Sequence, residues 1–252
     1  DVRGEVIGFG GRVMDDSTPK YLNSPDTPVY NKSRNVFALN IAKRSKTGRV
    51  ILTEGYMDTI ALHQAGFDNA VASLGTALTA EHGQLLAKYF KEAVISYDGD
   101  GAGVKAAQRA IPILEKAGMK VRVLQMRGAK DPDEFIKAYG REAFAKLLDS
   151  SENQVDYRLA QLQKQYNLED DAQRIAFLQE AAQLVAAIPS AVEREIYGGH
   201  AARTAGVTPE AMGLEVNRAL KIRVSKAKKQ RERRDLAPAA QLQPRSRGLR
   251  YE

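Results

Sequence analysis

The chain has 252 residues, room for one large domain or two small ones, with 43% hydrophobic and 27% charged residues and a formal net charge of +7. Counting glycine and leaving out tyrosine puts the apolar share near 47%, so a core can be buried and wholesale disorder is excluded. With no cysteine and three scattered histidines, disulfides, thiolate nucleophiles and Cys- or His-rich metal sites are not expected, and no apolar run reaches the ~18 residues that span a bilayer.

The chain opens on Asp1 without a signal-type apolar stretch and reads as a piece of a longer soluble protein, expected in the cytoplasm without a membrane partner. Residues 1–45 combine a strand-like, glycine-rich stretch (Arg3 to Val13) with an extended loop, Pro19-Lys-Tyr-Leu-Asn-Ser-Pro25. So short a segment cannot bury its own core and is expected to complete a subdomain. From 46 to 150, β-rich runs alternate with helical ones. Val50–Glu54 is followed by a helical stretch through Ile60 and Ala65, and Ala70–Leu74 by a helix capped by Thr79, with Glu81 in its first turn. Ala93–Tyr97 ends at Asp98, a helix from Val104 stops at Gly118, and Lys120–Met126 alternates before Lys-Asp-Pro-Asp-Glu-Phe. This spacing predicts an α/β fold with a parallel sheet and crossover helices.

From 151 to 235 the strands stop and a helical bundle is expected. Ile175, Leu178, Ala182 and Val185 mark one apolar helix face, ended by Ile188-Pro189. Ser190 with Glu193 predicts a capping box, and Thr208-Pro209 starts a helix with Met212, Val216 and Leu220 on one side. The turn at 201–207 reads as an ordinary interhelical turn rather than a helix-turn-helix. Between Arg218 and Arg250 stand 12 basic and 2 acidic residues, so the rest of the chain is net negative. This basic stretch reads first as a solvated helix end running into a linker at 236–252, and second as a nucleic-acid patch.

Carboxylates at strand ends carry the chemical signal. Glu54 ends one strand, and Asp98 and Asp100 lie at and just past the end of another. In a parallel sheet both ends share one edge, where ligands usually bind. Residues two apart in extended chain point the same way, so Asp98 and Asp100 are expected to face one spot. Gly99, Gly101 and Gly103 permit a tight turn and close approach of a phosphate or hydrated ion. Two charged carboxylates ~4 Å apart repel by about 4 kcal/mol at an effective dielectric near 20, which a divalent cation offsets, and oxygen-only ligands suit Mg²⁺. Asp131 and Asp133 offer either a second metal position or a helix N-cap. No Walker loop and no dinucleotide fingerprint is present. His63, His82 and His200 read as surface or packing residues.

Thr53-Glu-Gly-Tyr-Met-Asp58 with Tyr97-Asp-Gly-Asp-Gly-Ala-Gly103 resembles the Toprim domain shared by bacterial primases, topoisomerases and some nucleases. Gly8-Phe-Gly-Gly-Arg12, Pro19–Pro25, Val71-Ala-Ser-Leu-Gly-Thr76 and Lys130-Asp-Pro-Asp133 narrow the resemblance to the bacterial replicative primases of the DnaG type. It implies a Toprim parallel sheet flanked by helices at 46–150, part of a polymerase subdomain at 1–45, a helical bundle at 151–235 and a linker at 236–252. Implied too are RNA primer synthesis on single-stranded DNA from ribonucleoside triphosphates, and a replicative (DnaB-type) helicase partner reached through a missing C-terminal domain. Glu54, Asp98 and Asp100 match the catalytic, Mg²⁺-binding triad, with Mn²⁺ also used; Glu54 is a ligand or in part a general base. Asp58, Asp131 and Asp133 match further acidic positions around a second metal. Arg12, Lys20, Tyr21, Asn23 and Lys32 match the groove for template and nucleotide, where cations neutralise phosphates and a tyrosine can stack on a base. Zinc would belong only to a domain absent from this chain. The alternatives are a Toprim nuclease or topoisomerase and a non-catalytic single-strand-binding module.

Overall fold

The computed structural model describes residues 1–236 other than Met14, Asp16 and Arg127; the expected linker, apart from Leu236, lies outside the described residues. The chain divides into two compact units, Asp1–Tyr157 and the part from Arg158 onward.

The first unit opens with a small antiparallel hairpin of β1 (Gly10–Arg12) and β2 (Tyr21–Asn23), in which Arg12 pairs with Tyr21 and Gly10 with Asn23. After α1 (Leu39–Ala42) come β3 (Arg49–Thr53), α2 (Tyr56–Gln64), β4 (Ala70–Ala72), α3 (Ala80–Ala87), β5 (Glu92–Ser96), α4 (Gly101–Lys116), β6 (Lys120–Val123) and α5 (Pro132–Asp149). The sheet order is β4-β3-β5-β6-β7, with every pair parallel except the last. The edge strand β7 (Glu152–Asn153) runs antiparallel to β6 and corrects the expectation that strands stop at 150. Two polar residues carry no β signal. Arg122 of β6 holds the turn before them, donating from Nε to Ser151 Oγ at 2.9 Å.

Alternation along the strands builds two core layers. Val50, Leu52, Ala93 and Ile95 pack with Leu86 of α3 and Ala107, Ile111 and Leu114 of α4. Ile51 and Val94 face the other way, toward Leu62 of α2 and Phe135, Phe144 and Leu148 of α5. Side chains of period two on strands covered on both faces give the continuous apolar runs read from the sequence. α5 bends at Gly140, whose φ of 82° lies in the left-handed region.

The chain then enters α6 (Gln154–Gln163), and the second unit is formed by α7 (Asp171–Ala186), α8 (Ala191–Ala205) and α9 (Pro209–Leu236), packed pairwise. Its core is rich in small residues: Ala181, Ala182, Ala201 and Ala202 are buried beside Phe177, Val185, Met212 and Val216. Ile175, expected inside, is 55% exposed, and Phe177 takes the inward position. Asp170, Ser190 and Thr208 cap the three helices through Gln173, Glu193 and Ala211 amides, and Gly206 ends α8 at a φ of 66°. No described helix is long and apolar enough to cross a membrane.

Candidate active site

Strand register brings the acidic residues to one edge. Thr53 pairs with Ser96, so Glu54 leaves the sheet level with Tyr97, and Asp98 follows one residue on. The turn after β3 is fixed from inside, where Thr53 Oγ1 meets Thr59 Oγ1 at 2.8 Å and the Gly55 carbonyl at 3.0 Å. That turn starts α2 immediately and sets Asp58 in its first turn. The Asp98 loop is tied to the next one by the Gly99 amide, which donates to the Lys130 carbonyl at 3.2 Å and so brings Asp131 and Asp133 to the same edge.

The electrostatics record this crowding. Burial, then the charges of Asp131, Asp98 and Asp133, push Asp58 up to about 7, against the opposing Gly55 amide. Glu54 is raised by burial and by Asp98 and Asp100, although the Asp98 amide donates to its Oε1 at 3.3 Å. Asp98 is raised by burial, Asp131 and Asp100. Glu54, Asp58 and Asp98 thus each feel neighbouring carboxylates, and with Asp100, Asp131 and Asp133 six acidic groups stand at the ends of β3, β5 and β6.

Several of these groups also serve the backbone. Asp100 caps α4, its Oδ1 accepting from Ala102 and Gly103 amides at 2.9 and 2.8 Å, while its charge is felt by Glu54 and Asp98. Asp131 caps α5 through the Glu134 amide at 2.8 Å, and Asp133 pairs with Lys137 at 2.6 Å. As they stand, no three acidic or imidazole groups among the described residues enclose a metal ion. The donor set nonetheless fits a hard divalent cation: oxygen only, partly buried, and with the proton affinities of Glu54, Asp58 and Asp98 raised by burial and then by like charge. Gly103 keeps this edge compact, since a Cβ there would sit 2.1 Å from the Asp98 carbonyl oxygen and 2.8 Å from Glu54 Oε1.

The hairpin docks beside the acidic edge through a residue that the sequence reading passed over. Tyr56, second after Glu54, donates to the Gly11 carbonyl at 2.9 Å and packs edge-on against Tyr21 at 5.5 Å and tilted against Phe37 at 5.8 Å. The Arg12 guanidinium stands 5.8 Å from the Tyr21 ring centre. Asn23 reaches the β4–α3 loop, where a Cβ on Gly75 would lie 2.8 Å from its Nδ2, and its Oδ1 is buried without a partner. Lys20 is exposed and Lys32 half-buried, its amide held by Asp26 Oδ1 at 3.0 Å. A cavity of about 250 Å³ opens next to Glu54, lined also by Thr76, Leu78, Tyr97, Arg109 and Ala110. The signal that could have found Tyr56 is its place at the first helical position after a strand-end carboxylate.

Comparison with known proteins agrees with this arrangement. Residues 1–43 match the family model for the N-terminal domain of the DNA primase catalytic core, 51–136 a Toprim-like model, and 155–210 the DnaB-helicase binding domain of primase. The DNA primase of Clostridium acetobutylicum is 41% identical over 213 residues, 84% of this chain and 36% of that protein. A DNA primase domain from Pseudomonas aeruginosa is 34% identical, with a TM-score of 0.69 over 86% of this chain and 70% of that one. A DnaG primase catalytic domain solved bound to single-stranded DNA is 35% identical, with a TM-score of 0.70 over 84% and 68%. The chain spans about a third of the length of the curated relatives it matches. With the motifs, the sheet order and these matches in agreement, the chain belongs to the DnaG-type family of bacterial DNA primases.

Proposed function

We propose that this chain carries the catalytic centre of primer synthesis, joining ribonucleotides on a single-stranded DNA template at the replication fork in the cytoplasm. The observation that carries the reading is the acidic edge itself, where burial and then neighbouring carboxylates raise the proton affinities of Glu54, Asp58 and Asp98 beside a hairpin bearing Arg12, Lys20 and Tyr21. Glu54, Asp98 and Asp100 would hold one Mg²⁺ (or Mn²⁺), with Asp58, Asp131 and Asp133 around a second. Zinc would belong to a domain outside this chain, which has no cysteine. Such ions supply charge neutralisation at the attacking and leaving oxygens. Glu54 is assigned as a ligand rather than a base, because burial and the Asp98 charge, which raise its proton affinity, are what a bound cation offsets.

The reaction is nucleotidyl transfer. The primer 3′-hydroxyl gives up its proton to solvent water as its oxygen forms a bond to the α-phosphorus of a ribonucleoside triphosphate, the bond to the bridging oxygen breaks, and pyrophosphate leaves with the electron pair. Arg12, Lys20 and Lys32 bind phosphates, Tyr21 offers a stacking face for a base, and Asn23 braces the hairpin against the β4–α3 loop beside them. Contact with a DnaB-type helicase belongs to this reading. The match of 155–210 to a helicase-binding family model supports placing part of it on the helical unit, with a further C-terminal domain beyond this chain completing it.

The test is Asp98→Asn with Asp100→Asn in the complete gene product, given labelled single-stranded DNA, ribonucleoside triphosphates and Mg²⁺. Primer synthesis is expected to fall at least a hundredfold; activity within about tenfold of wild type, only ~1.4 kcal/mol of barrier, defeats the assignment. Shortened strands in the wild type would mark a Toprim nuclease. Salt-sensitive binding that ignores chelation, with no incorporation, would mark a binding module.

A further inference from the structure

His82 lies outside the acidic edge and is fully buried at the start of α3. Its two ring nitrogens do different work. Nδ1 accepts from the Thr79 amide at 3.2 Å while the His82 amide donates to Thr79 Oγ1 at 3.1 Å, closing a reciprocal cap at the helix start. An acceptor at Nδ1 fixes the neutral tautomer that carries hydrogen on Nε2, and that N–H donates to the Lys32 carbonyl at 2.8 Å. Thr79 Oγ1 donates in turn to the adjacent Ser33 carbonyl at 2.8 Å. Two successive carbonyls are therefore gripped by the cap and third residue of one helix, 46 to 50 positions further along the chain.

A cap alone requires only Nδ1. The Nε2 bond adds nothing to α3, and its far end is the backbone of the one lysine in that segment assigned to the template and nucleotide groove. On its other side the Lys32 amide is held by Asp26, and the segment ends where Phe37 bridges to Ala72 of β4, its amide donating to the Ala72 carbonyl at 2.9 Å. We propose that His82, through its Nε2 bond and with Thr79 beside it, is a positioning residue that sets the Lys32 backbone so that the lysine ammonium meets the phosphates of template or nucleotide. The inference rests on the reading of Lys32 as a phosphate-binding residue.

The experiment compares four variants in the complete gene product, measuring KM for ribonucleoside triphosphate, Kd for a labelled single-stranded oligonucleotide, kcat, and amide exchange over residues 32–34. Lys32→Ala identifies which constant the lysine controls. His82→Asn keeps an acceptor for the Thr79 amide and removes the donor to Lys32. It is expected to raise that same constant about three- to tenfold, the worth of one hydrogen bond, with kcat within about twofold and faster exchange at 32–34. His82→Gln, which carries an amide donor out to the ε position and an acceptor for the cap, should restore the constant to within about twofold. His82→Asn added to Lys32→Ala should cost nothing further. If Lys32→Ala raises a constant and His82→Asn does not, the inference falls while the reading of Lys32 stands. A silent Lys32→Ala removes that reading and the inference with it. Should His82→Asn unfold the protein, unchanged exchange at 32–34 and unchanged constants between wild type and His82→Gln support the assignment, and a raised constant in a folded His82→Gln overturns it.

Discussion

Asp58 carries an electrostatic cost from its burial and its acidic neighbours. Its carboxyl sits on the first turn of α2, raised from 3.8 to about 7 by burial and by Asp131, Asp98 and Asp133. A carboxyl raised on folding binds more protons folded than unfolded between those two values. Its stabilising share is therefore complete below pH 3.8 and is lost as pH rises through about 7. Thermal melts of metal-free protein should show a decline between about pH 4 and 7 that Asp58→Asn flattens and millimolar Mg²⁺ reverses. A wild-type profile superposing on that of the variant would remove the group from the cluster. Gly103 makes a separable case at the same edge. Alanine at a helical position ordinarily gains about 0.5–1 kcal/mol over glycine, but here the added methyl meets the Asp98 carbonyl at 2.1 Å, so backbone must shift. Gly103→Ala is expected to stay folded yet lose about a hundredfold in primer synthesis, since an ångström of misplacement at reacting groups costs that much. Retained activity would mean that the Asp98 loop tolerates the displacement.

At the scale of elements, the legible parts are those where one local signal dominates. The apolar runs ending at Glu54 and Asp98, Thr79 as a cap and Gly118 as a stop lie within a residue or two of where the structure has them, because burial on both sheet faces and helix-end chemistry are encoded locally. The strand β7 was not legible, since Glu152-Asn153 is recruited by its neighbour Arg122 rather than by its own propensity. The carboxylates were legible as types and as an edge, but not the turn of Asp100 into the α4 cap, nor Tyr56 as the anchor of the hairpin. On α7 the Ala182–Val185 part of the apolar face lies where it was read, and only Ile175 was misplaced, for a related reason. In an alanine-rich helix two overlapping faces satisfy the same periodicity, and the larger ring decides: Phe177 is buried against Tyr166, with Ile175 left out. Phe177→Ala should therefore cost about 3–5 kcal/mol and Ile175→Ala less than about 0.5 kcal/mol in urea unfolding followed by helical signal. Equal costs would restore the face read from the sequence.

Over the whole molecule the cations that could meet a nucleic acid fall into two groups, one on each unit. The acidic edge and the hairpin cations belong to the first unit, whereas the dense basic run lies along α9, where residues 226–232 are exposed. A solvated helix end and a groove that tracks phosphates differ in a measurable way, because each phosphate neutralised on a single strand contributes about 0.7 to the slope of log affinity against log salt. Lys20 stands on the hairpin beside Tyr21, whose ring is already shared with Arg12, so a strand stacked there meets several cations at once. Lys20→Ala is expected to weaken single-stranded DNA binding and shallow the salt slope by about 0.7. Lys228→Ala with Lys229→Ala should leave the slope unchanged, since nothing aromatic on α9 beside them offers a base a stacking face. If the α9 pair shallows the slope by about 1.4 and Lys20 does not, the strand is held by the helix rather than the hairpin, and the division of labour between the units is reversed.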